Sequence, residues 1–300
     1  MKVLILGGSG FVGRNLLMAV PKEWDVLTTY YTATDFVGWQ KNNCPHIKIM
    51  KCNLANSDVL KLQGQKFDVV VSLLANPQPS LSSIDPFADF NSNALTVLNS
   101  LMAIEADKFI FFSSGLVYEN YIMGVSPDKR LKPTIPYAIS KMAAEQYVKF
   151  AHKIGRIKKY YIVRFWGAYG PYQHISKIYS NLANTFGVER KSKFTIRGDG
   201  TSLIDAMHID DTVKYTLDMI VSSYDSMTFD FAPGNPITIK QLVEKAADTF
   251  NIKPEIQYDG ESYEVIKFYS VDMSMPFPRS FITVEDGLKK LCRWYKKQSK

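Results

Sequence analysis

The segment Val3-Leu-Ile-Leu-Gly7-Gly8-Ser9-Gly10-Phe11-Val12-Gly13-Arg14-Asn15-Leu16-Leu17 constrains this 300-residue chain more than any other. Four apolar residues read as a buried strand, the glycines at 7, 10 and 13 as a turn, and the apolar spacing that follows as a helix. A dinucleotide pyrophosphate needs this arrangement. The turn must be tight, the backbone must approach the phosphates with no Cβ in the way, and a helix N-terminus must face the anion. The pattern predicts an α/β fold with Gly7, Ser9, Gly10, Phe11, Val12 and Gly13 around a bound dinucleotide.

Which dinucleotide is left open. An acid at the end of the second strand accepts the ribose 2′-hydroxyl of NAD, and a basic side chain there favours the 2′-phosphate of NADP. That strand ends Val26-Leu-Thr-Thr-Tyr30-Tyr31, with neither. Tyr30 is placed beside the cofactor, Arg14 is the nearest phosphate partner, and Asp35 is the nearest downstream acid. The missing acid favours NADP; NAD follows if Asp35 reaches back.

Short apolar runs recur at 3–6, 25–29, 47–52, 68–74, 108–113 and 160–165, apolar throughout as in strands buried on both faces. They alternate with amphipathic stretches, which predicts a doubly wound parallel sheet. A helix is expected over 137–153, another from His208-Ile-Asp-Asp211, and a strand at 227–232. Thr238-Ile-Lys-Gln241 reads as a capping box. The expected division is a dinucleotide-binding domain over 1–169, with returns near 205–235, and a smaller C-terminal α/β substrate domain over 170–300. With 46% hydrophobic and 22% charged residues, disorder and a disulfide-stapled miniature are excluded.

Tyr137 and Lys141 lie one helical turn apart on the same face. A cation beside a phenol favours phenolate, so the tyrosine can exchange a proton with a substrate oxygen while hydride moves to or from a nicotinamide. Tyr263 and Lys267 share the spacing but follow no core strand, and read as a solvated face. The strand before Tyr137 ends in Ser113-Ser114, at the edge where open α/β sheets bind ligands.

These motifs, with Asp68-Val-Val-Val-Ser-Leu73-Leu74-Ala75, Asn93-Ala-Leu-Thr, Ser113-Ser-Gly-Leu-Val-Tyr118, Arg164-Phe-Trp-Gly-Ala-Tyr-Gly-Pro171, Gly198-Asp-Gly-Thr201, His208-Ile-Asp-Asp211 and Gly287-Leu288, run in one order along nearly the whole chain. In that order the sequence resembles an extended short-chain dehydrogenase/reductase of the NAD-dependent epimerase/dehydratase family, most of whose members act on nucleotide sugars. The resemblance implies a Rossmann-type fold, with Tyr137 as catalytic acid/base, Lys141 as its activator and cofactor-ribose ligand, and Ser114 as the hydroxyl that orients the reacting oxygen. It places Asn53 and Leu54 beside the adenine, Leu73, Leu74, Ala75 and Asn93 along the cofactor, and Phe165 and Trp166 against nicotinamide and substrate. A homodimer through the helices of 93–103 and 137–150 is the family habit.

Departures narrow the activity. The Asp-Glu pair of the family's 4,6-dehydratases is Gly115-Leu116 here, and that elimination needs carboxylates. The asparagine of the Arg-x-x-Asn-x-Tyr-Gly-Pro motif is Gly167, and the arginine expected after Gly-Asp-Gly is Ile204. Losing a charged fork removes a diphosphate ligand; either Arg197 or Arg279 replaces it, or the substrate is not a standard nucleotide sugar. Residues 271–279 also replace the family's usual segment. The expectation is a 4-ketoreductase on a nucleotide-linked sugar using NADP or NAD. The rivals are a 4-epimerase with tightly held NAD and a cofactor-binding relative without turnover.

Net charge is +7, but Lys289, Lys290, Arg293, Lys296, Lys297 and Lys300 account for six of these charges, as the exposed face of a terminal helix with Leu288, Leu291 and Trp294 inward. The nearly neutral body and the absence of basic-aromatic interleaving argue against nucleic acid. Four scattered histidines predict no metal site, and no stretch is apolar enough to span a membrane. Cys44, Cys52 and Cys292 form no framework, so a cytoplasmic protein is expected.

Overall fold

Each apolar run becomes a parallel strand, covered on both faces except in the edge strand from the run at 47–52, where Lys48 and Lys51 are exposed and Ile49 and Met50 half-buried. The strands are β1 (Lys2–Leu6), β2 (Asp25–Tyr30), β3 (Lys48–Lys51), β4 (Lys66–Ser72), β5 (Glu105–Ser114), β6 (Ile157–Phe165) and β7 (Met227–Phe231), in the order β7-β6-β5-β4-β1-β2-β3. The order reverses between β1 and β4, and the crevice beyond their carboxyl ends is where such sheets bind ligands. The computed structural model describes residues 1–76, 78–261 and 265–298; Tyr263 and Lys300, singled out above, lie outside the described residues.

The helices are α1 (Phe11–Ala19), α2 (Phe36–Asn43), α3 (Pro86–Phe90), α4 (Thr96–Ala103), α5 (Pro136–Lys153), α6 (Ile178–Leu182), α7 (Ile209–Val221), α8 (Ile239–Thr249) and α9 (Val284–Gln298). Alternation along β1 sorts them. Val3 and Ile5 pack with Leu16 and Leu17 of α1 and Met219 of α7, whereas Leu4 and Leu6 pack with Leu101 of α4 and Val148 of α5. A third cluster joins Tyr179, Leu182, Phe186, Phe194, Leu242, Val243, Leu288 and Leu291 in the C-terminal part, while α7 and β7 return to the main sheet.

Boundaries differ in instructive places. β5 and β6 each begin three residues before the expected start, at Glu105 and Ile157. β4 stops at Ser72 instead of 74, because beyond the Leu73 N to Leu6 O bond the chain leaves the ladder to wall the ligand crevice. The capping box forms, with Gln241 N donating to Thr238 Oγ1 and Thr238 N to Gln241 Oε1. His208 caps α7 by accepting from Asp210 N, and burial pushes its imidazole down to about 4, so the ring is neutral. In α9, Leu288 and Leu291 are buried, Trp294 is half-buried, and Lys290 pairs with Asp210.

Two buried cations hold helices to the sheet. Lys108 donates to the carbonyls of Met219, Ile220 and Ser222 at the C-terminus of α7, where the helix dipole favours positive charge, although burial pushes its ammonium down to about 8. Arg164 of β6 makes a bidentate pair with Glu145 of α5, Nε to Oε1 at 3.0 Å and Nη2 to Oε2 at 2.8 Å, with the two side chains 4% and 0% exposed. Removing one partner of such a pair strands the other charge in the interior. Glu145→Ala is expected to lower unfolding stability by about 3–5 kcal/mol in urea titration; a loss below about 1 kcal/mol would show that Arg164 finds another partner.

Candidate active site

The crevice begins at the glycine turn. Gly7 has φ +86°, a conformation side chains rarely adopt. A Cβ on Gly13 would lie 2.6 Å from Gly8 Cα and 2.7 Å from the Gly7 carbonyl, so this position admits only hydrogen. Gly10 caps α1 without a side chain, and the first-turn amides therefore have no side-chain acceptor. Gly7, Gly10, Phe11, Val12, Gly13, Leu73 and Ala75 line a cleft of about 380 Å³ that continues to Tyr137, Lys141 and Phe165. Open backbone, an uncapped helix end and apolar walls fit the pyrophosphate and rings of a dinucleotide.

Beside the turn, Asp35 does reach back. Arg14 Nη2 lies 2.9 and 2.8 Å from the two Asp35 oxygens, and Arg14 Nε donates to the Ser9 carbonyl at 3.0 Å. Phe36, Trp39 and Tyr172 enclose the guanidinium, and Tyr30 packs on Phe36. The arginine expected to meet a 2′-phosphate is thus paired, and it carries a carboxylate to the glycine turn.

Ser114 ends β5, its hydroxyl accepts from Leu116 N at 3.1 Å, and it lines the same cavity as the Tyr137 phenol. Pro136 at the first position of α5 starts the helix that presents Tyr137. Burial pushes the phenol up to about 12, with Ser114 opposing. Lys141 is 1% exposed and donates to the carbonyls of Leu74 at 3.0 Å and Phe112 at 2.9 Å; burial pushes its ammonium down to about 7, against the pull of Asp89 and Glu145.

A second cavity, about 350 Å³, opens from the same point and shares Ser113, Tyr137, Phe165 and Pro79 with the cleft. Ser114, Leu116, Trp166, Gly167, Ile204, Ile266 and Phe268 wall it, and its ionisable carboxylate is Asp205, held by the amides of Gly234 and Asn235. Trp166 stacks near Tyr118 and meets Phe268 edge-on. A Cβ on Gly115 would lie 2.8 Å from the indole ring, so Trp166 fills the place of any side chain there.

Other sequence candidates lie elsewhere. Arg197 lines a separate pocket with Asp199 and Glu261, and Arg279 gives its guanidinium to the carbonyls of Asp272, Ala232 and Pro233; neither lines the two cavities. Leu54 is buried against the helices, and Asn53 accepts from Ala55 N in its own turn. Asn93 is fully buried behind the cleft wall, where its Oδ1 accepts from Asn76 N. Asp89, Asn76 and Lys177 were not foreseen; only Asp89 left a trace, four residues before Asn93 and so on the same helical face. Among the described residues no three His, Cys, Asp or Glu side chains form a metal cluster, and no helix is long and apolar enough to cross a membrane.

A doubly wound sheet with an anion-binding turn, opening at its switch point onto a Ser-Tyr-Lys set, defines a dinucleotide-dependent enzyme. The chain belongs to the NAD dependent epimerase/dehydratase family, whose model matches residues 3–227; these are enzymes of the extended short-chain dehydrogenase/reductase type. It is similar to a putative UDP-glucose 4-epimerase of Methanocaldococcus jannaschii, 24% identical with 99% of each chain covered. It also resembles the mouse (Mus musculus) dTDP-D-glucose 4,6-dehydratase, 22% identical over 99% of this chain and 89% of the relative. Among solved structures, the UDP-glucuronic acid 4-epimerase of Bacillus cereus, in complex with UDP-glucuronic acid and NAD, superposes with a TM-score of 0.86 at 24% identity, covering 99% of this chain and 100% of that one.

Gly13→Ala is expected to weaken NAD binding by about ten- to a hundredfold, the equivalent of 1–3 kcal/mol of overpacking, with circular dichroism unchanged. Calorimetric titration with parent-like affinity would contradict the close approach at the turn.

Proposed function

We propose that this chain is an NAD-dependent nucleotide-sugar 4-epimerase. The observation that carries the reading is the Arg14–Asp35 pair at the glycine turn. A 4-ketoreductase was expected because no acid followed the second strand; Asp35 supplies one, and Arg14 is no longer free for a 2′-phosphate, so NAD is favoured over NADP. Elimination of water is disfavoured, since a carboxylate at position 115 would collide with Trp166 and position 116 is leucine.

In this reading the sugar ring enters the cavity walled by Leu116, Ile204, Ile266 and Phe268, with its C4 hydroxyl at Ser114 and Tyr137. Bound in the neighbouring cleft, a nicotinamide supplies the hydride acceptor and, in the return step, the donor. The C4 hydroxyl proton passes to the Tyr137 oxygen and returns to the 4-keto oxygen once the ring has turned over. Ser114 holds that oxygen throughout. Lys141 acts as a cation, lowering the cost of phenolate at Tyr137. Gly10, the uncapped first turn of α1, Leu73 and Ala75 hold the dinucleotide.

A homodimer through α4 and α5 is part of this proposal, supported by Ile139 and Phe150, exposed on α5, and by Leu95, Leu98 and Met102, half-buried along the neighbouring segment. The three free cysteines suit the cytoplasm.

Purified protein is expected to carry NAD that survives gel filtration and to interconvert the 4-epimers of a UDP-hexose without net consumption of cofactor. Stoichiometric NADPH oxidation with loss of the 4-keto substrate would overturn the epimerase reading in favour of the reductase. Tyr137→Phe should lower kcat by about 10²- to 10⁴-fold with NAD still bound. The Lys141 charge sets the pH dependence. Its ammonium, depressed to about 7, is present below that pH and lost as pH rises through it, so kcat/KM should fall on the alkaline side from near pH 7. A profile flat to pH 10 would remove Lys141 from the chemistry.

A further inference from the structure

Asp89 of α3 is a carboxylate with 1% exposure and no cation bonded to it. Its Oδ1 accepts from Asn93 Nδ2 at 2.9 Å and Asn76 Nδ2 at 3.0 Å, and its Oδ2 accepts from Ser140 Oγ at 2.7 Å. Burying an ionised carboxylate among neutral donors costs several kcal/mol unless a charge nearby offsets it. The nearby charge is Lys141, the residue after Ser140, which is itself buried with its protons given to two neutral carbonyls. Each charge therefore lacks a bonded counter-ion, and each lies within electrostatic reach of the other.

We propose that Asp89 is the positioning residue for the Tyr137–Lys141 pair: its carboxylate is bonded through Ser140 to the helix that carries both groups and through Asn76 to the cleft wall, and its charge favours the Lys141 cation while raising the cost of phenolate at Tyr137. The inference rests on the oxidoreductase reading above for its catalytic meaning, though not for the electrostatics. The groups facing the pair are few. Glu145, on the same helix, also favours the Lys141 cation, but its oxygens are taken by Arg164 and Ser113. Ser114 faces Tyr137 from β5, and Lys177 lines the cleft from the start of α6. Among the described residues, Asp89 is thus the carboxylate without a bonded cation whose charge acts on both Tyr137 and Lys141.

The two directions are linked. A negative charge favours the cation of a lysine and the neutral form of a tyrosine, so removing it moves both midpoints toward lower pH. A residue that merely braced the loop would slow turnover without moving them. Asp89→Asn is suited to the test because its amide can still accept from Asn76 and Asn93, while the Ser140 hydroxyl has the Tyr137 carbonyl, 2.9 Å away, as an alternative acceptor.

The experiment follows the ε-carbon resonance of Lys141 in isotopically labelled protein, assigned by its absence from Lys141→Met, together with the pH profile of kcat/KM on UDP-hexose. In D89N the Lys141 midpoint is expected to fall by about half a unit to one unit, with both limbs of the profile displaced the same way. Ser140→Ala, which keeps the charge, is expected to lower turnover with the midpoint unmoved. Asp89→Ser serves for the same comparison if D89N does not fold. A Lys141 midpoint equal in parent and charge-removed variant overturns the proposal. Failure of the parent to turn over any nucleotide sugar would instead overturn the functional reading, and the resonance would still decide the role of Asp89.

Discussion

The structure depends on how α5 is fixed to the sheet. A helix that carries a tyrosine and a lysine to the edge of β5 must be held in both rotation and height, and apolar packing of Ala144 and Val148 fixes rotation more firmly than height. The Glu145–Arg164 pair supplies the second restraint. Glu145 also accepts from Ser113 Oγ at 2.6 Å, one residue before Ser114, so the pair that anchors the helix is bonded to the strand that ends in Ser114. Arg164 passes on to Tyr118, and Tyr118 to Asp230 of β7, which carries the restraint across β5, β6 and β7. Buried ion pairs add little net stability over apolar packing, yet they define one geometry. Here that geometry places Ser114 against Tyr137.

The electrostatics of the site work against the charged forms its chemistry needs. Burial favours neutral Tyr137 and neutral Lys141, the opposite of a phenolate beside an ammonium. Water is largely excluded from both side chains, so each nearby charge acts with little screening. A phenolate is the form that takes a proton and a phenol the form that gives one, and a cationic lysine lowers the cost of the first. The site is poised between the two, and small changes in its surrounding carboxylates shift that balance.

The sequence was most legible where chemistry and backbone geometry coincide. The strands of the dinucleotide half, the glycine turn, the Ser-Tyr-Lys set and the capping box all stand where spacing and residue type put them. Side-chain direction was not legible. Asn93 reads as a cofactor contact but is fully buried, with its Oδ1 taken by Asn76 N of the cleft wall, and Arg279 reads as a diphosphate ligand but gives its guanidinium to carbonyls. Asp35 lies too far past β2 to be assigned as its terminal acid; only the fold of α2, whose weak amphipathic pattern buries little beyond Phe36 and Gln40, lets Arg14 draw it back. Long-range pairing of this kind leaves no periodic trace in a single sequence.

Gly115 illustrates how an absence can set chemistry. As a letter in the sequence it signals only that a carboxylate is missing, a gap that a neighbouring acid could in principle fill. In the fold the gap is occupied: the Trp166 indole lies where a Cβ would be, supported by Tyr118 on one side and Phe268 on the other. Restoring an acid at 115 would have to displace a large aromatic side chain from the wall of the sugar cavity, and Leu116 beside it presents only carbon. A carboxylate at this position is therefore opposed by packing as well as missing from the sequence. What remains at this end of the cavity is the pair of hydroxyls of Ser114 and Tyr137, set against walls that are largely apolar.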